Sequence, residues 1–587
     1  MPKRSTYDKS PVVRISDSAS DCRVGWPAII EHIRTKLPSG QGIVCVECYP
    51  GSFEEEIERE LSRALQPKLT VHARDCYLSE SEIRCMCDRD LGDDPVFAHM
   101  NYYRISDFVD ASKLQKQQQN IQGTAGLVLV VGTGASLIAG RWDLLIYADM
   151  ARWEIQIRQR AGTVGNLGLN NSDELPALKY KRAFFVDWRA ADRLKRELFD
   201  KIDFLLDNNT RKQPKLISGA DFRRGLALTA SRPFRVVPFF DPGPWGGQWM
   251  REVCDLPPGP PNYAWCFDCV PEENSLLLGF GDVAVEVPSI DVVFRHPRAL
   301  LGDAVHGRFG TEFPIRFDFL DTMDGGNLSF QVHPLTEYIQ EHFGMHYTQD
   351  ESYYLLDVGE DPCVYLGLKE GIEPREMIAD LWSAQQGNDQ FPAEKYVNRW
   401  PARKHDHFLI PAGTPHCSGK NSMVLEISAT PYIFTFKMWD WGRLGLDGRP
   451  RPIHLEHGIN NIQWDRRTKW VEANLLNAIV PVQQGDGWCE EHTGLHEREF
   501  IETRRHWFTK QVPHNTAGGV NVLNLCEGDE IIVESPEGKF PSLIVHYAET
   551  FIVPAAVGAY MIRPHGLSAG KQCGTIKAFV RTRACET

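Results

Sequence analysis

No stretch of this sequence is long and apolar enough to cross a bilayer as a helix. The nearest candidate, GLVLVVGTGASLIAG at 126–140, falls short of the roughly 20 residues a span needs and is interrupted by Gly, Ser and Thr. The amino terminus, MPKRSTYDKSPVVRI, lacks the apolar centre of a secretory signal. A basic excess is missing too. The formal net charge is −14, which argues against general nucleic-acid or membrane-surface binding. Cysteine supplies no disulfide framework: the 15 thiols are odd in number and scattered, so reduced thiols and a cytoplasmic location are expected. Cys45/Cys48 and Cys266/Cys269 have CxxC spacing, but the pairs lie far apart and the first falls in an apolar strand pattern. Buried thiols are therefore expected there, rather than a zinc ribbon.

What is present is an ordinary globular composition, 42% hydrophobic and 24% charged over 587 residues, enough for roughly three to five domains. The first part alternates strand-like and helix-like segments. GIVCVECYPG (42–51), GLVLVVG (126–132), DLLIYADM (143–150) and AFFVDW (183–188) read as strands. SFEEEIERELSRAL (52–65) reads as a helix with Ser52 as its N-cap and Glu54 to Glu56 in the first turn, where carboxylates suit the helix dipole. RAADRLKRELFDKIDFLLD (189–207) has the pattern of a second helix. Strands alternating with helices predict an α/β domain with a mostly parallel, covered sheet over residues 1–222.

Past residue 222 the texture changes. PFFDPGPWGGQW (238–249) and DLPPGPPNYAW (255–265) are rich in Pro and Gly, and short strand-like runs follow. These predict β-rich jelly-roll barrels, one over 223–475 and a second, degenerate one over 476–587. HFLIPAGTPHC and TFIVPAAVGAY share an order of apolar strand, Pro-Ala, short turn and strand, an echo between the two. EGIEPREMIADLWSAQQ (370–386) reads as a helical insertion in the first.

LSFQVHPLTEY (328–338) carries the sharpest chemistry. Gln331 and His333, two apart on a strand, point from one face, and Pro334 ends the pairing. Glu351, opening ESYYLLDV, and His416, ending LIPAGTPH, are candidates to join them. One amide oxygen, one carboxylate and two imidazoles suit Zn²⁺ or another divalent first-row ion. From pattern alone, with 19 histidines in the chain, hydrogen-bonded structural residues remain the commoner reading.

The arrangement closely resembles the class I phosphomannose isomerases (mannose-6-phosphate isomerases), zinc-dependent proteins built on cupin barrels. The resemblance runs through PWGGQW (244–249), FPIRFDFLDTMDGGNLSFQVHP (313–334), ESYYLLD (351–357), FLIPAGTPHCSG (408–419), VLEISA (424–429) and TFKMWDWGR (435–443). It implies that Gln331, His333, Glu351 and His416 hold one Zn²⁺. It also implies aldose–ketose isomerisation of a sugar phosphate through an enediol, with mannose 6-phosphate and fructose 6-phosphate as the pair. Glu426 matches a pocket carboxylate, either the base or a residue orienting a ligand. The sequence departs from the family at Lys437, where the family has its catalytic arginine, and at Gln349, where some relatives carry a lysine. Lysine keeps the charge but loses the planar fork, which leaves room for an unphosphorylated or modified sugar, or for a metal-containing cupin that binds sugar without turning it over.

Residues 1–222 resemble a uridine-kinase-like domain through LVLVVGTGASLI, YADMARWEIQIRQR and FVDWRAADRLK. The loop ECYPGSFEEEI lacks the lysine of a working phosphate cradle and places three glutamates in its stead. A kinase-like fold without ordinary phosphoryl transfer is expected; nucleotide binding is left open, and under the sugar-binding alternative this domain is a regulatory or docking module. Asp149, Arg158 and Arg160 are candidate remnants of a nucleotide site, or paired and solvated charges. A kinase with an unusual loop is the third reading, opposed by the glutamates.

Overall fold

The computed structural model describes residues 5–37, 42–430, 432, 434–494 and 499–582. The chain divides into two compact units. One comprises Val12–Thr229 and Ser275–Arg295; the other comprises Met1–Pro11, Ala230–Asn274 and His296–Thr587. The first unit thus takes in a late return of the chain that no linear division of the sequence reveals.

The first unit is α/β. Its seven-stranded sheet comprises β1 (Cys22–Val24), β2 (Gly42–Cys48), β3 (Leu69–His72), β4 (Leu127–Gly132), β5 (Leu144–Asp149), β6 (Phe204–Asp207) and β7 (Lys215–Ser218). The order is β1-β7-β6-β5-β2-β4-β3. The five strands β3-β4-β2-β5-β6 run parallel, and β7 and β1 join antiparallel at one edge. Alternate residues of β2 (Val44, Val46, Cys48) meet Ile29, Ile30 and Ile33 of helix Trp26–Lys36 and Ile57 and Leu61 of helix Glu54–Leu65 in one apolar cluster. That period of two on a strand, matched to helical stripes, is what a covered parallel sheet requires.

Two local readings are corrected. AFFVDW is not a strand: residues 183–187 form a π-helical turn inside a run of helix from Pro176 to Leu198. A short apolar run cannot be told from a buried helical segment by periodicity, and here the helical spacing i, i+4, i+8 places Tyr180, Phe184 and Trp188 in mutual ring contact. The strand that follows is β6, cut from the end of the segment read as helix. Ser52 is not an N-cap either. The helix starts at Glu54 with no side-chain cap, and the Ser52 hydroxyl instead donates to Tyr49 O at 2.8 Å. The thiols of Cys45, Cys48, Cys266 and Cys269 are free and buried.

The second unit holds two β-barrels of two sheets each. The strands of the first are β8 (Phe239–Asp241), β9 (Trp265–Cys269), β10 (Arg316–Asp321), β11 (Phe330–Val332), β12 (Asp350–Val358), β13 (Cys363–Leu368), β14 (Val397–Pro401), β15 (His407–Ile410), β16 (His416–Ser418), β17 (Ser422–Ala429) and β18 (Phe436–Trp439). Its sheets run β15-β12-β17-β10-β9-β8 and β14-β13-β16-β11-β18. Helix Pro374–Gln385 is inserted between β13 and β14. The second barrel comprises β19 (Val480–Gly485), β20 (Trp488–Gly494), β21 (Ile501–Phe508), β22 (Val512–Asn515), β23 (Asn521–Glu527), β24 (Glu530–Glu534), β25 (Leu543–His546), β26 (Thr550–Val553), β27 (Ala559–Pro564) and β28 (Cys573–Val580). Its sheets run β26-β23-β28-β21-β20-β19 and β25-β24-β27-β22. Each strand is the first-barrel strand eleven places earlier, so the two barrels share one topology; among the described residues only β18 lacks a counterpart.

His407, on β15, is fully buried. Its Nδ1 lies 2.9 Å from Thr493 O, and burial lowers its pKa to about 4. Between about pH 6.5 and 4 the unfolded chain therefore takes up a proton that the folded chain refuses. Stability is complete above this window and falls within it, by up to about 1.4 kcal/mol per pH unit. Urea midpoints across that range should fall less steeply in His407→Gln than in the parent, and parallel curves would contradict the assignment.

Candidate metal centre

Gln331, His333, Glu351 and His416 come from three strands and one strand end, and they meet inside the first barrel. Gln331 on β11 pairs directly with His416 on β16, so their side chains share a face. Glu351 opens the long strand β12 of the facing sheet. Ligand atoms of His333, Glu351 and His416 all lie within 4.8 Å of one another, and all three residues are buried. Glu351 bridges the imidazoles, with Oε2 3.0 Å from His333 Nε2 and Oε1 2.9 Å from His416 Nε2. The Gln331 amide is 3.3 Å from His416 Nε2, and a half-turn about its last bond brings its oxygen to that side.

The surrounding chain fixes how these groups face. His333 Nδ1 lies 2.8 Å from Phe434 O, and His416 Nδ1 lies 2.8 Å from Thr414 O. Each carbonyl takes the Nδ1 proton and leaves the Nε2 lone pair toward Glu351, the arrangement in which imidazoles ligate metals. Gln349 holds the carboxylate, its Nε2 donating to Glu351 Oε2 at 2.9 Å while Phe434 N donates to Gln349 Oε1 at 3.0 Å. The Pro411–Thr414 turn that presents His416 is pinned twice. Arg466 donates to Pro411 O and Ala412 O at 2.8 and 2.7 Å, and Ala412 N donates to Asp350 Oδ1 at 2.7 Å. Gly413 adopts φ +84°, where a Cβ would stand 2.8 Å from Asn461 O, so the turn requires glycine.

Charge and desolvation test whether a cation fits. Burial opposes a charged His333, yet the Glu351 carboxylate outweighs it and raises that pKa. Burial would raise Glu351, but the two histidines hold it well below the usual carboxylate range. His416 is lowered by burial, against the pull of Glu351. Among the described residues, His333 Nε2 and Glu351 Oε1 remain buried without a well-formed hydrogen bond. Two lone pairs packed on a carboxylate repel unless a positive charge lies between them, and a divalent ion is the group that N₂O₂ donors of this kind accept.

The remaining candidates line the same interior. Glu426 on β17 lies between Asp318 on β10 and Tyr353 on β12. Burial, with the Glu351 and Asp318 carboxylates nearby, raises its pKa well above the usual range. Asp318 is itself raised to about 6 by burial, with Arg316 Nη2 3.0 Å away opposing. Lys437 on β18 faces Gln331 across the ladder and is half-buried. Desolvation and the Arg451 guanidinium bring its pKa down to about 7. Asp440 accepts from Arg443 and Arg451, each at 2.7 Å, and from Ser329 Oγ at 2.9 Å.

Sequence reading missed Arg443, Arg451, Asp440, Arg316 and Asp318 as parts of the site. The i, i+2 spacing of Arg316 and Asp318 on one strand was the available signal. Gln349 was noted only for replacing a lysine, and its hold on Glu351 depends on a contact across the barrel.

In the α/β unit, the loop after β2 borders a cavity of about 640 Å³ lined by Ser52, Glu54, Glu55, Arg74, Asp75 and Glu80, among others. It opens at the carboxyl ends of β2 and β4, the switch point of the parallel order. Glu54 Oε1 accepts from Thr133 N at 2.9 Å, and Glu47 accepts from Gly134 N and Ser136 N at 2.6 and 2.8 Å. Side-chain carboxylates thus take backbone donors that a phosphate would need. The cation Arg74 is bonded to Glu55 at 2.7 Å. Asp149 is bound to Lys195 at 2.6 Å, and Arg158 donates to Gly51 O, Asn208 O and Asn209 O. Both are structural partners, while Arg160 is exposed.

A family described as a domain of unknown function (DUF8485) matches residues 25–231. The mannose-6-phosphate isomerase of Streptococcus mutans is 29% identical over 221 residues, 37% of this chain and 63% of that protein. The chain therefore spans less than two thirds of that relative. Mannose-6-phosphate isomerase ManA of Bacillus subtilis is 23% identical over 239 residues, 40% of this chain and 69% of that protein. Among solved structures, a mannose 6-phosphate isomerase from Bacillus subtilis aligns with a TM-score of 0.48 at 18% identity, over 59% of this chain and 99% of that one.

Zinc content by plasma mass spectrometry should fall from about one ion per chain to below a tenth in His333→Ala and in His416→Ala. Full occupancy in both variants would refute the ligand assignment.

Proposed function

We propose that the chain is a metal-dependent aldose–ketose isomerase of a sugar phosphate, with mannose 6-phosphate and fructose 6-phosphate as the pair. The observation that carries this reading is the buried His333–Glu351–His416 cluster with Gln331 beside it. The names of the curated relatives support it. When bound, a divalent ion such as Zn²⁺ supplies the Lewis acidity that polarises a sugar carbonyl.

The rest falls to this chain's residues. Isomerisation moves one proton between adjacent carbons, which requires a group that takes it and returns it near neutrality. Lys437 has that property, with a pKa near 7 and a place across from Gln331. An arginine at this position could only stabilise charge; a lysine can also titrate. Glu426, whose pKa is raised by burial and by the Glu351 and Asp318 carboxylates, is placed to offer a proton, or a hydrogen bond, to an oxygen that gains charge. Arg443 and Arg451 share the single carboxylate of Asp440, leaving a surplus positive charge beside Lys437 suited to a substrate phosphate.

For the α/β unit we infer a uridine-kinase-like module that does not transfer phosphoryl groups and serves regulation or docking. Glu54 and Glu55 in its cavity support this reading. Free buried thiols suit a reducing, cytoplasmic setting.

Incubation with mannose 6-phosphate in deuterated water should place label at C1 or C2, lost with chelator and restored by Zn²⁺. Sugar binding without label would favour a binding protein, and sugar-dependent ATP consumption would favour a kinase. Below pH 7, kcat/KM should fall about tenfold per unit as Lys437 takes up a proton, and it should level off above pH 8. Lys437→Arg should lose 10²–10⁴-fold, the usual share of a general base. Near-parental activity in Lys437→Arg would remove lysine from that role.

A further inference from the structure

The shared topology allows the two barrels to be compared position by position. In the first, Glu351 pairs with Ile410, the residue before Pro411; in the second, Asn521 pairs with Val553, the residue before Pro554. Gln331 pairs with His416, and correspondingly His514 pairs with Tyr560. Glu426 pairs with Tyr353, two residues past Glu351, and Lys577 pairs with Leu523, two past Asn521. The other neighbour of Glu426 is Asp318, and that of Lys577 is Arg504. At the positions of carboxylate, imidazole, amide and two acids, the second barrel therefore carries Asn521, Tyr560, His514, Lys577 and Arg504. The ligand set for a cation is gone, and the two inner acids have become cations.

What replaces it is polar and in part unpartnered, although the Tyr560 hydroxyl donates to Asn521 Oδ1 at 3.0 Å. His506 and His514 meet at 4.4 Å between ring centroids, and His514 stacks on Tyr560 at 5.0 Å. His506, His514, Thr575 and Lys577 are all at least nine-tenths buried. Among the described residues, His506 Nδ1, both ring nitrogens of His514 and Thr575 Oγ1 have no hydrogen-bond partner. Each such atom has lost its water and gained nothing in exchange, which is unfavourable unless a ligand meets it. Thr575 and His506 are direct cross-strand neighbours, so these atoms converge.

The pattern of donors and acceptors selects the occupant. His506 Nε2 faces Glu490 Oε1 at 3.3 Å, which places the ring proton there and leaves Nδ1 as an acceptor. Lys577 Nζ lies 3.7 Å from the same Glu490 oxygen, longer than a hydrogen bond, so its protons remain available. Glu490 Oε2 is taken by Gln483 Nε2 at 2.6 Å, and Glu502 is bonded by Arg504. Burial lowers the pKa values of both histidines, and Lys577 acts in the same direction on each, while the Glu490 carboxylate opposes it at His506.

We propose that the interior of the second barrel is a binding site for inorganic hydrogen phosphate. Lys577, Thr575 and one N–H of His514 donate to its oxygens, and His506 Nδ1 accepts from the P–OH that phosphate retains at neutral pH. This assignment does not depend on the isomerase reading. Sulfate has the same shape but no O–H, so it would face the His506 lone pair with an oxygen.

Titration calorimetry on the full chain, after chelation of metal, tests this with inorganic phosphate and sulfate as probes. Phosphate is expected to bind the second barrel, apart from any held by Arg443 and Arg451 in the first, at least tenfold more tightly than sulfate. Lys577→Met should weaken phosphate at least tenfold, and the isosteric Thr575→Val, which leaves the packing intact, about threefold to tenfold. His333→Ala should leave phosphate binding unchanged. Equal affinity for the two anions, binding indifferent to Thr575→Val, or loss of binding in His333→Ala would each overturn the proposal. So would a divalent ion retained by the second barrel.

Discussion

One carboxylate organises the first barrel. Glu351 stands between two imidazole nitrogens at 2.9 and 3.0 Å, in a buried interior, and much around it serves to keep those atoms there. The carbonyls of Phe434 and Thr414 set both tautomers, Gln349 holds one carboxylate oxygen, and Arg466 with Asp350 fixes the turn that delivers His416. A buried negative charge of this kind is costly unless a cation meets it. Burial first, and then this same charge, raises the pKa of Glu426. The candidate acid is thus tied to the candidate metal ligand.

The contrast between the barrels shows how little topology decides chemistry. Ten strands in the same order place Glu351 and Asn521, His416 and Tyr560, Glu426 and Lys577 at comparable inward positions. Exchanging acids for bases at those points converts an interior suited to a cation into one suited to an anion. Apolar packing survives the exchange: Phe508, Leu523, Leu525, Val533, Phe551 and Ile562 still fill one core between the sheets. The fold tolerates either occupant because its stability rests on that core rather than on the site.

Much of this was legible before folding. The i, i+2 spacing of Gln331 and His333, the proline that ends the strand and the turn before His416 are local features, and local features survive in a linear text. The parallel sheet was legible from its apolar runs, and the two barrels from the echo around Pro411 and Pro554. Other features were not, for reasons of physics. AFFVDW is apolar enough for a buried strand or a buried helix, and only its neighbours decide which. The network of Arg443, Arg451, Asp440 and Ser329 joins residues more than a hundred positions apart. The depressed pKa of Lys437 arises from desolvation, which no sequence pattern records.

The most direct test of the central claim is X-ray absorption at the zinc edge on the purified, metal-loaded protein. Two imidazoles, a carboxylate and an amide oxygen should give a first shell of nitrogen and oxygen only, near 2.0–2.1 Å, with the outer-shell scattering of two histidine rings. A shell containing sulfur near 2.3 Å, or scattering from no more than one ring, would place the ion elsewhere and contradict the account.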